Sequence, residues 1–209
     1  VVEIARNVGV FGGTFDPVHW GHLVMAEMAL DCAGLDCAIW VPTDRPPHKQ
    51  HRSLSPFARR YEMVEAAIAH RPEFIASSVD ASRSGTSYAI DTLGDLQAIY
   101  PNCTWHWIIG SDAFQYLPRW RDSNTLARSC CWWVAPRDRN AAISQCQSVE
   151  LHFARQSVPL CWQILPMPVL DLSSSLIRRY CRQGRSIRYL VPEAIEAYIQ
   201  VHRLYSDPN

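Results

Sequence analysis

Near the N-terminus, the run Gly9-Val10-Phe11-Gly12-Gly13-Thr14-Phe15-Asp16-Pro17-Val18-His19-Trp20-Gly21-His22 limits what this chain can fold into more than any other stretch. Val8, Val10 and Phe11 suit a first parallel strand buried on both faces. Gly12 and Gly13 carry no Cβ, so the backbone there can run close to something bulky. Pro17 suits the first position of a helix, where its fixed φ helps and its missing amide is not needed. His19 and His22, three apart, then share one face of the first turn. Amides left free at a helix start and the positive end of its dipole point the same way, toward an anion, and a phosphate chain is the natural occupant.

Two rival readings of this run fail on residue types. A pair of histidines can bind metal, but no Cys or Glu at ligand spacing accompanies them, so no protein metal site is expected. A dinucleotide fingerprint needs Gly-x-Gly-x-x-Gly, which Gly9, Gly12 and Gly13 do not supply, and this argues against an NAD-dependent oxidoreductase.

The remainder of the chain alternates strands and helices. A helix from His19 to about Ala33 ends at Gly34, and the apolar run Cys37 to Val41 reads as a second buried strand, completing a βαβ unit. Pro42 to Leu54 is a polar loop with Arg45-Pro46-Pro47-His48-Lys49. Ser55-Pro56 is expected to open the next helix as cap and first residue. In that helix Phe57, Tyr61, Val64 and Ile68 recur at packing intervals, leaving Arg59, Arg60, Glu62 and Glu65 for solvent or loop partners. Further strands are expected at Phe74 to Val79, Thr104 to Ile109, Cys130 to Ala135 and Leu160 to Leu165, with a helix over Ile90 to Tyr100. Pro136 to Val149 reads as a polar stretch. Three serines, Ser173, Ser174 and Ser175, offer hydroxyls and amides at another helix start, with Arg178 about one and a half turns on. A last amphipathic helix follows Leu190. The pattern predicts an α/β fold: a Rossmann-like doubly wound parallel sheet with helices on both faces and a small C-terminal helical part.

At 209 residues the chain suits one domain, with about 1–7 as a tail and about 171–209 as the helical subregion. Its 20 basic and 20 acidic residues cancel, so charge makes no case for nucleic acid or a membrane surface as partner. Lys49 is the one lysine in the sequence. No apolar run reaches membrane-spanning length and the N-terminus does not read as a signal peptide, so a cytoplasmic protein is expected. The 8 cysteines form no Cys-x-x-Cys pair and are read as small core residues of a reducing compartment.

Gly-Gly-Thr-Phe-Asp-Pro-Val-His-x-Gly-His resembles the signature of the HxGH nucleotidyltransferases, and in this long form that of the bacterial nicotinate mononucleotide adenylyltransferases. Four later segments resemble the same family in the same order: Pro46-Pro47-His48-Lys49, Ser87-Tyr88-Ala89-Ile90-Asp91-Thr92-Leu93, Leu117-Pro118-Arg119-Trp120, and Ser173-Ser174-Ser175-Leu176-Ile177-Arg178. Thr43 and Ala89 depart from the residues usual there. The resemblance implies adenylyl transfer from ATP to nicotinate mononucleotide, with Mg²⁺ bound mainly through ATP. It implies ATP contacts from Gly12, Gly13, Thr14, Phe15, His19, His22, Gly110, Asp112, Ser173, Ser174, Ser175 and Arg178. The mononucleotide would meet Asp16, Lys49, Tyr88, Ala89, Trp120 and Arg121, its pyridine stacked on Trp120, and the catalytic charges would come from His19, His22, Lys49 and Arg178. A nicotinamide-mononucleotide or pantetheine-phosphate adenylyltransferase, or a non-catalytic nucleotide-binding relative, stays open as an alternative.

Overall fold

A computed structural model describes residues 7–47 and 54–206 of the chain. Six strands form one sheet: β1 (Asn7–Gly13), β2 (Cys37–Pro42), β3 (Phe74–Ala76), β4 (Thr104–Gly110), β5 (Cys131–Ala135) and β6 (Cys161–Ile164). Their order is β3-β2-β1-β4-β5-β6 and every pairing is parallel. The chain therefore winds outward to β3, returns to the centre for β4, and winds outward the other way. Loops leaving the carboxyl ends of β1 and β4 diverge at that reversal and open a crevice, the usual ligand position in such sheets.

Strand periodicity explains how the sheet is covered. Val8 and Val10 of β1, with Ile39 and Val41 of β2, point to one face, where they pack with Trp107, Trp132 and residues of α3 (Ala89–Ile99), α5 (Ser123–Ser129) and α6 (Arg139–Ala154). Phe11, Ala38, Trp40, Ile108 and Trp133 point to the other face. They meet α1 (Trp20–Cys32), α2 (Phe57–Ile68), α7 (Ser174–Arg182) and α8 (Glu193–Val201). β2 is buried along its whole length, as its unbroken apolar run requires of a strand covered on both sides. The C-terminal helices are not an appendage, since Ile177, Ile195 and Ile199 belong to the same core as Trp40 and Phe11.

Several boundaries differ from expectation. Residues 1–6 of the predicted tail lie outside the described residues, and Asn7 already belongs to β1, its amide donating to Asp36 Oδ2 at 2.8 Å. Pro56, not Ser55, precedes α2: its ψ of 143° is extended, so the helix begins at Phe57. β3 stops at Ala76, because the chain then turns to bury Asp80 under Thr92 and Arg83. The stretch after Pro136 is mostly the helix α6. Asp138 caps it, accepting from the Ala141 amide at 2.8 Å, and Ala142, Cys146, Val149 and Phe153 form its buried stripe.

The cysteine expectation holds in part. Cys37, Cys130 and Cys146 are buried, and desolvation pushes their thiols up to about 11, 12 and 12, as inert core residues should behave. Cys131 and Cys161, however, face each other in the β5–β6 register with Cα atoms 4.8 Å apart and form a disulfide. Two strands 30 residues apart in sequence carry that pair, so no short Cys motif announces it. Among the described residues no helix is long and apolar enough to cross a membrane.

Candidate active site

The turn between β1 and α1 is built tightly from its own side chains. A Cβ on Gly13 would lie 3.0–3.3 Å from the Phe15 ring, so the bulky neighbour that Gly13 must clear is Phe15 itself. Phe15 is buried with φ of 47°, its ring edge-on to Phe11 at 5.3 Å, which leaves only its backbone to face a ligand. Pro17 does not open the helix. The Asp16–Pro17 peptide is cis, and His19, extended at φ −150° and ψ 169°, is the N-cap of α1. The amides expected to be free at this helix start are partly engaged: Trp20 N donates to Leu190 O at 3.3 Å and His19 N to His22 Nδ1 at 3.2 Å.

The two histidines come together as their spacing predicts. Their rings stack at 3.7 Å between centroids and 19° between planes. His22 also rests against the edges of Phe15 and Phe11, and accepting the His19 amide at Nδ1 places the proton of its neutral ring on Nε2. His19 is 3% exposed, and a Cβ on Gly21 would stand 3.0 Å from its Nδ1, so glycine at 21 is what lets the ring lie there. Burial, then the nearby Arg137 guanidinium, lowers the His19 pKa to about 3 despite an opposing backbone hydrogen bond. His19 is thus a neutral imidazole at neutral pH, not the cation the charge argument had assigned.

This has a measurable effect on stability. The folded pKa of about 3 lies below the unfolded value near 6.5, so the contribution is complete above pH 6.5 and is lost as pH falls toward 3. At ~1.4 kcal/mol per pH unit, acidification from pH 7 to 5 is expected to remove about 2 kcal/mol through this residue. Calorimetric melting of wild type and His19→Asn at the two pH values checks it: the variant should show a smaller drop in Tm, and equal drops would exclude His19 as the source.

The far end of the chain closes on this turn. Ser174 Oγ donates to Pro17 O at 2.8 Å, and Arg178 donates to Asp16 O at 2.5 Å and to Ser175 Oγ at 3.2 Å. Ser173 is the N-cap of α7, accepting from the Leu176 amide at 3.2 Å. One of the three serine hydroxyls, that of Ser174, therefore fastens the helix to the turn, while those of Ser173 and Ser175 bond within the helix segment itself. One cleft results, with His19, Gly21, His22, Gly110, Arg137 and Leu172 in its walls. Gly110 is the N-cap of the short helix α4 (Ser111–Phe114), and Asp112 stands in its first turn with a carboxylate 61% exposed.

Arg137 escaped the sequence reading. It lies two residues past the end of β5, its Nη1 donates to Leu172 O at 2.9 Å, and its Nε lies 3.9 Å from Asp112 Oδ2. A basic residue just past the carboxyl end of a parallel strand was the available signal. Arg60, left by its sequence for solvent or loop partners, takes loop partners and is buried among them. Its guanidinium is 2% exposed and donates to Ser55 O (2.9 Å), Thr14 O (2.9 Å), Thr43 O (2.7 Å) and Asp44 O (3.3 Å), tying the loop after β1 to the loop after β2.

The residues expected at the mononucleotide divide into two groups. Arg121 lies over the Tyr88 ring at 4.8 Å and 3.9 Å from Asp91. Tyr88 is the N-cap of α3 and Ala89 its first residue, and half-buried Trp120 meets Trp132 edge-on at 6.2 Å. Ser87 joins this segment to the loop after β2 by a reciprocal pair, Ser87 N to Arg45 O at 3.0 Å and Arg45 N to Ser87 Oγ at 3.1 Å. Asp16, in contrast, is 1% exposed, and its carboxylate accepts from Tyr205 Oη at 2.6 Å and Ser55 N at 3.3 Å, so it is turned inward. Lys49 lies outside the described residues.

Comparison with known proteins agrees with this geometry. The family model described as cytidylyltransferase-like matches residues 10–180. A relative from Nostoc sp., named "probable nicotinate-nucleotide adenylyltransferase", is 47% identical over 209 residues, covering 98% of this chain and 99% of its own. One of the same name from Synechococcus sp. is 46% identical over 204 residues, 97% of this chain and 96% of its own. The structure of Plasmodium falciparum nicotinic acid mononucleotide adenylyltransferase complexed with NaAD has a TM-score of 0.76 over 96% of this chain and 98% of that one. At 18% identity, that likeness shows a shared fold.

Proposed function

This chain belongs to the cytidylyltransferase-like family and, within it, to the nicotinate-nucleotide adenylyltransferases, and from that premise we propose that it transfers the adenylyl group of ATP to nicotinate mononucleotide. The products are nicotinate adenine dinucleotide and pyrophosphate, a step of NAD biosynthesis. The observation that carries the reading is one cleft walled by both imidazoles, Gly110 and Arg137, next to a β1–α1 turn to which Ser174 and Arg178 fasten α7.

The chemistry needs no protein nucleophile. A phosphate monoester has its second pKa near ~6, so the mononucleotide is mostly a dianion at neutral pH and can attack the α-phosphorus of ATP in line. The barrier lies in aligning two anions and in the charge that grows on the leaving pyrophosphate. His19 and His22 suit this as neutral hydrogen-bond donors, while Arg137 and Arg178, with Lys49, supply the positive charge. Mg²⁺ would neutralise phosphate charge when it arrives with ATP. The residues fit an ion carried by the nucleotide better than one caged by protein, because the Asp16 carboxylate is turned inward and Asp112 stands near Arg137. Arg121, poised over Tyr88, suits the carboxylate of the pyridine ring.

Pyrophosphate release measured with ATP and Mg²⁺ against three acceptors tests the reading. Nicotinate mononucleotide is expected to give the highest kcat/KM, above nicotinamide mononucleotide and phosphopantetheine. A higher value for either of the others would replace the substrate assignment, and no release with any acceptor would remove the activity.

A further inference from the structure

We infer that Tyr205 is a positioning residue of this site, which through Asp16 holds the phosphate-facing turn and the Ser55 backbone just ahead of α2 in their binding arrangement. The inference rests on the adenylyl-transfer reading and adds to it a residue that touches no substrate. Tyr205 lies 189 residues from Asp16, yet its hydroxyl donates to Asp16 Oδ1 at 2.6 Å. The chain reaches that point by an unusual path. After α8, Arg203 (φ 47°) and Tyr205 (φ 64°) both occupy the left-handed region that side chains avoid, and Leu204 N closes back on Ile199 O at 3.0 Å. Two such residues so close together turn the ring back onto the β1–α1 turn. Burial and the Asp16 charge push the phenol far above its usual range, so it stays a donor at every working pH.

Asp16 distributes what Tyr205 fixes. Its carbonyl accepts from Arg178, and its second carboxylate oxygen accepts from Ser55 N. Ser55 O in turn accepts from Arg60 Nε, and Arg60 reaches Thr14 O. Tyr205, Asp16, Ser55, Arg60 and Thr14 thus form one hydrogen-bonded circuit that stands behind the cleft and fixes the backbone on which it is built. Releasing Asp16 Oδ1 loosens the turn from behind while every cleft side chain remains in place.

Tyr205→Phe keeps the ring and removes only the hydroxyl. The expected result is an ATP dissociation constant raised about tenfold by titration calorimetry and a kcat/KM for nicotinate mononucleotide lowered about tenfold, the effect of one lost bond to a charged acceptor. Both are read at a temperature where melting shows the variant folded. The Tyr205→Phe/Asp16→Asn double variant is expected to be no worse than Asp16→Asn alone, because both act on one link. ATP affinity and kcat/KM within twofold of wild type, with only Tm lowered, would reduce Tyr205 to a packing residue and overturn the inference, as would additive losses in the double variant. If wild type turns over no acceptor, the adenylyl-transfer reading fails, and the ATP titration still decides the role of Tyr205.

Discussion

Replacing His22 with alanine is expected to lower kcat about 10²–10³-fold, the loss that follows removal of one preorganised donor to developing charge. The magnitude follows from where the ring sits. His22 stands at the first turn of α1, supported by the edges of Phe11 and Phe15, with Nδ1 held by the His19 amide and Nε2 carrying the proton. Its orientation is settled before any substrate arrives, so no reorganisation is needed when the leaving group gains charge. The same substitution uncovers the stacked face of His19, whose burial keeps it neutral. The fold itself should survive, since His22 is only half-buried. Steady-state pyrophosphate release alongside thermal melting checks both halves, and turnover within tenfold of wild type at an unchanged Tm would take His22 out of the mechanism.

Arg60→Met is expected to destabilise the protein by about 3–5 kcal/mol, the range for breaking a buried charged network by removing one partner. Methionine fills similar volume but leaves Thr14, Thr43, Asp44 and Ser55 carbonyls without the donors that satisfy them in a dry place. Burial lowers the Arg60 pKa, and the charges of Asp16 and Asp44 oppose that, so removing the guanidinium also takes away one of the cations near Asp16, where Arg178 remains. Lysine restores the charge but not the planar fork that spans four acceptors, so Arg60→Lys should recover only part of the loss. For a chain of this size the Met variant should melt at least ~6 °C lower. A change of Tm under 2 °C would mean that water takes over the carbonyls and that the residue is not the joint between the two loops.

What the sequence disclosed is what short-range pattern can carry. The βαβ start, the buried run of β2 and the pairing of His19 with His22 depend on residues a few positions apart, and all three are present. The contact between Ser173–Arg178 and the first turn was legible because both segments read as helix starts suited to an anion. Arg60 was legible only as a choice between solvent and loop partners, and the fold decides for the loops by burying it. The neutrality of His19 was hidden for the same reason: burial is a property of the packed molecule, not of a motif. α6 was missed because Ala142 and Cys146 are weak apolar markers inside a polar segment. Cys131–Cys161 required the register of two strands, and Tyr205 required the path of the chain after its last helix.

The joining of Asp16 and Pro17 with Ser174, Arg178 and Tyr205 would give a bound nucleotide a second role. An anion held there would span the opening and closing portions of the polypeptide and reinforce the core packing and hydrogen bonds that already join them. Saturation at a hundred times Kd would add about 2.7 kcal/mol to the folded state. That increment would fall on the seam between the two ends, so substrate would act as a clasp that keeps the terminal helices from peeling away before the centre unfolds.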